Sequence, residues 1–168
     1  MKRAAALLLF LAILISGGVA MADTPEEVIE EAMEVYAWMT MWPLDVNVDI
    51  PGGDGKFLVL DERYQTREAL DAKLSDYFSA EIVDELWSWN TYDIVDGMLY
   101  AEEDAGRSID ENISEIAYEI TSQTDERIVY TVTVNYLSEG DEVSTGTYIF
   151  VREFAVDHWV FTAFPFFW

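Results

Sequence analysis

The hydrophobic period of this chain changes once, near residue 92, and that change restricts the folds open to it. Before it, apolar residues recur every three or four positions; after it, they alternate with polar ones. The first period buries one stripe of a helix, and the second buries one face of a strand. Helices followed by antiparallel strands predict an α+β protein in which N-terminal helices pack on a curved antiparallel sheet. Residues 23–168 read as one such domain, with a two-lobed body as the variant. With 51% hydrophobic residues and 14% aromatics the chain can fill a core, so its charge does not imply disorder.

The helical part opens at Thr24-Pro25-Glu26-Glu27: a cap, a proline at the first helical position and a glutamate three residues after the cap. Val28, Ala32, Val35, Met39 and Trp42 form the stripe of a first helix, widened by Tyr36 and Trp38 and stopped at Pro43. Residues 44–55, with Pro51-Gly52-Gly53-Asp54-Gly55, read as a loop, and residues 56–60 as a short strand or the return of that loop. Thr66 opens a second helix carrying Leu70, Leu74, Tyr77 and Phe78; Ser79 caps a third with Ile82, Val83, Leu86 and Trp87.

Past the switch, residues 92–95 and 98–101 flank Asp96-Gly97, a strong hairpin signal. Three alternating segments follow, around residues 116–120, 128–136 and 143–151, the last two joined by Ser138-Glu139-Gly140-Asp141. A final strand over residues 159–164 leads into Pro165-Phe166-Phe167-Trp168. These aromatics are predicted to fold back over the sheet, the alternative being an exposed apolar contact patch.

At the start of the chain Lys2 and Arg3 precede the apolar residues 4–15, and Ala20-Met21-Ala22 follows. This is the layout of a secretory signal peptide over residues 1–22. Its apolar run is shorter than the roughly 20 residues a bilayer span requires. The mature protein is therefore expected to begin at Asp23, outside the cell or in its envelope, without stable membrane insertion. The net charge of −24 then becomes −26, because Lys2 and Arg3 are lost. Such a charge opposes binding to nucleic acid phosphates or an anionic membrane, and favours basic proteins and cations.

The side chains from which catalysts and metal sites are usually built are scarce. There is one histidine and no cysteine, which excludes disulfides, thiol nucleophiles and the usual nitrogen and sulfur ligation of transition metals. His158, directly before Trp159, has no neighbouring motif that would make it a catalytic base. Asp45-x-Asn47-x-Asp49 begins like a calcium loop but places Ile50 where glycine is required and Lys56 where a bidentate glutamate belongs. Neither a phosphate-cradling glycine loop nor a G-x-S-x-G elbow is present. No metal, no cofactor and no catalytic residue is implied.

One resemblance enters here. Thr66 with the following helix, Tyr77-Phe78-Ser79, the Asp96-Gly97-Met98-Leu99-Tyr100 hairpin, Asp104-Ala105-Gly106 and Trp159-Val160-Phe161 occur in an order similar to that of the secreted bacterial inhibitors of cell-wall DL-endopeptidases, the IseA family. The likeness spans residues 60–165, and the chain differs from the family in its acidity and its Phe-Pro-Phe-Phe-Trp tail. The resemblance implies a non-enzymatic protein that occludes a secreted peptidoglycan hydrolase, its partner, through an interface of about 1,200–2,000 Å². The segment expected to dock is the acidic loop leaving the hairpin, with Glu102, Glu103, Asp104, Gly106 and Arg107 as partner-binding residues.

Two other readings compete. An NTF2-like or cystatin-like cone would hold a small molecule, or act as an enzyme, in a pocket lined by Tyr118, Tyr130, Tyr136 and Tyr148. An acidic exoprotein would bind cations through its carboxylates.

Overall fold

The structure, a computed structural model, describes residues 23–103, 110, 112–137 and 143–167. It is an α+β fold of three helices and two four-stranded antiparallel sheets.

Helix α1 (Pro25–Thr40) starts as its residues dictate. Thr24 Oγ1 accepts from the Glu27 amide at 3.2 Å, and Glu27 Oε2 accepts from the Thr24 amide at 2.8 Å, so two otherwise orphaned donors are satisfied reciprocally. Ala32, Val35, Met39 and Trp42 of the expected stripe are buried, joined by Ile29, Met33 and Ala37. Helix α2 (Arg67–Ser75) is capped by Thr66, whose hydroxyl accepts from the Ala69 amide at 3.2 Å. Helix α3 (Ala80–Trp87) buries Val83 and Leu86.

Strands β1 (Val46–Gly53), β2 (Lys56–Val59), β3 (Asp93–Val95) and β4 (Met98–Glu102) form the first sheet, in the order β1-β2-β4-β3. The segment expected to be a loop is thus an edge strand. Its glycine-rich end makes the turn of the β1–β2 hairpin, where Asp54 (φ 50°) and Gly55 (φ 81°) lie between the paired Gly53 and Lys56. Pro51 is tolerated because β1 is at the edge, and the register shifts around it. The β3–β4 turn is the one expected: Asp96 (φ 51°) and Gly97 (φ 83°) between the paired Val95 and Met98, with both residues left-handed as a type I′ turn requires.

Strands β5 (Ile113–Gln123), β6 (Arg127–Leu137), β7 (Val143–Ala155) and β8 (His158–Ala163) form the second sheet as a simple meander. A bulge at Thr162 falls between the pairs Val151–Ala163 and Arg152–Phe161. The extra residue turns both Phe161 and Phe164 inward, three positions apart. The outer edge of β8 is covered: the Phe161 amide donates to Tyr77 O at 2.7 Å, and the Ser79 amide donates to Phe161 O at 2.9 Å. The outer edge of β5 carries no strand among the described residues; Glu115 and Glu119 stand exposed along it.

One continuous core joins the elements. It takes Ile29, Met33 and Met39 from α1, Leu70 and Leu74 from α2, Val59 and Leu99 from the first sheet, and Val132, Phe150 and Phe161 from the second.

Candidate functional site

The acidic crossover between the two sheets leaves β4 where the pairing with β3 has already ended, at Tyr100, and only β2 remains alongside. Glu102 is the last residue of β4 and lies opposite Lys56 of β2. Lys56 Nζ reaches past β4 to Asp93 Oδ1 at 3.0 Å. On the same face the Tyr100 ring lies against Gly52, where a Cβ would stand 2.2 Å from Tyr100 Cδ1. Glycine at that position serves the close packing of a strand and not the flexibility of a loop. At the far end of the crossover, Asp110 Oδ1 accepts from the Asn112 amide at 2.9 Å and from its Nδ2 at 2.8 Å, while Asn112 O accepts from the Leu137 amide at 2.7 Å.

Glu102 and Glu103 are both exposed at this end of the first sheet. Asp104, Gly106 and Arg107 lie outside the described residues, as do the turn over residues 138–141, the expected signal peptide and Trp168.

The tyrosine face of the second sheet is filled by the end of the chain. Phe164 packs edge-on against Phe150 at 5.0 Å and Phe161 at 4.9 Å between ring centroids; Phe167 lies 5.1 Å from Tyr148. The hydroxyls of Tyr136 and Tyr148 are 2.8 Å apart, and Tyr136 donates to Phe167 O at 3.2 Å, so Tyr148 is the donor between the two. Burial, above all, pushes the Tyr136 phenol up to about 12. Tyr118 donates to Glu30 Oε1 at 3.2 Å, and burial together with the Glu30 charge raises its phenol far above the ordinary value. Tyr130 is buried in the core. Among residues 164–167, the expectation that the terminal aromatics fold back holds: Phe164 and Phe167 are buried, and Phe166 stacks on Tyr36 at 5.7 Å.

His158 is exposed at the start of β8. Its Nδ1 meets Asp157 Oδ1 at 2.8 Å, and its Nε2 meets Ser75 O, at the end of α2, at 3.1 Å. Both partners are acceptors, so the imidazolium satisfies both and a neutral ring only one. The Asp157 carboxylate first, and the Ser75 carbonyl second, hold its pKa above the ordinary 6.5. The ring fastens a turn to a helix end.

The calcium-like residues Asp45, Asn47 and Asp49 run into and along β1. There Asn47 Oδ1 accepts from the Asp49 amide at 3.1 Å, a contact within the strand. Among the described residues, no three carboxylate or imidazole side chains gather as a metal site. No described helix is long and apolar enough to cross a membrane.

Sequence reasoning overlooked one feature that the structure singles out. Val156, at the tip of the β7–β8 hairpin, has φ 58° and is 98% exposed. Asp157 is an ordinary turn residue, but a valine before it does not mark a left-handed position. No family model matches the chain, and no curated protein matches it.

Proposed function

We propose that the protein acts by contact, as a non-enzymatic binding protein outside the membrane that inhibits a peptidoglycan DL-endopeptidase by occluding its cleft. The observation that carries this reading is the filled tyrosine face. The surface that a ligand-binding cone would keep hollow is occupied by Phe164 and Phe167 and latched through Tyr136 to Phe167 O. Chemistry is then left to the exterior. There, Glu102 ends β4 opposite Lys56 and Glu103 follows it, both exposed. The large negative charge adds long-range attraction for a basic hydrolase, screened beyond about 8–10 Å at moderate salt.

The test is release of peptide fragments from purified cell-wall sacculi by a DL-endopeptidase, measured with increasing amounts of the protein. Stoichiometric inhibition that weakens with salt is expected. Undiminished hydrolysis at a tenfold molar excess overturns the reading.

A further inference from the structure

The β7–β8 hairpin closes with the Asp157 amide donating to Ala155 O at 2.6 Å, two residues back, around Val156 at φ 58°. A hydrogen bond of that span around a positive φ is a γ-turn of the rare, strained kind. A β-branched residue there is a true outlier, because its two Cγ atoms crowd the backbone. The strain is held in place by the surroundings. Ala155 and His158 are paired across the turn, Phe154 and Trp159 pair behind it with rings at 5.6 Å, and His158 Nε2 meets Ser75 O. The strained side chain packs on nothing: Val156 is 98% exposed, and Phe154 behind it is 47% exposed. A strained, apolar, solvent-facing residue on a rigid support costs folding stability without returning any inside the molecule. Strain of this sort is kept where a binding surface needs it.

The setting of the tip states what it can meet. The Phe154 amide donates to Glu126 O at 2.9 Å, which brings the exposed Asp125-Glu126 turn alongside. Glu153 and Asp157 add two further carboxylates on the hairpin, Glu153 paired with Arg127 at 3.4 Å and Asp157 with His158 at 2.8 Å, which leaves Asp125 and Glu126 to give this end its negative rim. An apolar knob inside a carboxylate rim complements an apolar socket ringed by cations. It is repelled by an anionic bilayer, and equally by a second copy of the same acidic chain.

The geometry points to Val156, backed by Phe154 and Trp159, as the anchor by which this protein docks into an apolar, cation-ringed socket on a basic partner protein. The inference rests on the reading that the chain acts by contact. It places the anchor at the opposite part of the fold from the acidic crossover, on the second sheet.

The experiment compares the purified wild type with V156G and V156I. V156G removes both the strain and the knob; V156I keeps both. Thermal unfolding of V156G is expected about 2–4 °C above wild type, since relief of left-handed strain exceeds the added freedom of glycine in the unfolded chain. Binding is followed through Trp fluorescence and NMR shifts in two arms. One titrates a purified DL-endopeptidase. The other titrates heptakis(6-amino)-β-cyclodextrin, an apolar cavity ringed by ammonium groups that reproduces the socket's chemistry.

V156G is expected to bind the endopeptidase at least tenfold more weakly than wild type, with V156I unchanged. It is also expected to lose cyclodextrin shifts centred on Phe154, Val156 and Trp159. Equal endopeptidase binding by V156G and wild type overturns the anchor while sparing the proposed function. Absence of endopeptidase binding by the wild type overturns the proposed function, and the anchor then stands or falls with the cyclodextrin arm. Binding to phosphatidylglycerol vesicles, or concentration-dependent dimerisation lost in V156G, also overturns it.

Discussion

At the scale of single residues, the cationic side chains among the described residues serve structure. Lys56, Arg63, Arg67 and Arg127 each face a carboxylate, and Arg152 lies over the Phe161 ring while donating to Trp159 O at 3.3 Å. His158 does the same with its proton. Its folded pKa lies above the ordinary 6.5, so the stability it adds is complete below that value and is lost as pH rises through the folded pKa. H158Q should therefore unfold at a lower temperature than wild type at pH 5–6, and the gap should close on the alkaline side. A gap that widens with pH would contradict the two-acceptor geometry. This role was not legible from sequence, because the Ser75 carbonyl lies 83 residues away along the chain. The residues proposed for docking, by contrast, follow from the position of a polar loop that leaves the hairpin. The structure puts two of them, Glu102 and Glu103, on the surface.

Among the elements, those that depend on neighbours in sequence were readable and those that depend on distant partners were not. The Thr24 and Thr66 caps and the Asp96-Gly97 turn follow from residues within four positions of one another. Strand β1 was hidden because Gly52 is there for the Tyr100 ring, a demand made 48 residues later. The division of strands into two sheets was equally hidden, since β2 finds β4 across two intervening helices. The C-terminal segment after β8 is a further element of the core, turned inward by the Thr162 bulge. F167A should cost about 3–5 kcal/mol, as burial of a large aromatic implies. It should also release the Tyr136–Tyr148 pair, bringing the Tyr136 titration down from about 12. Chemical denaturation and absorbance titration of the phenols measure the two effects. A change below 1 kcal/mol would mean that the segment is not packed as described.

For the molecule as a whole, 33 acidic residues face 9 basic ones. Most carboxylates therefore have no cation to pair with, and their mutual repulsion loosens the folded state. Added salt screens charges separated by more than about 10 Å at 0.1 M. The melting temperature should consequently rise between 20 mM and 500 mM NaCl, as read by circular dichroism, whereas a protein stabilised by surface ion pairs would show a fall. The same charges have a second office along β5. That strand is long and, among the described residues, has no strand on its outer side, the arrangement by which strands recruit strands, and the exposed Glu115 and Glu119 keep neighbours away. With glutamine in place of both, the rim would turn from fence to template. The chain that two carboxylates keep solitary is then the one most ready to stack into fibres.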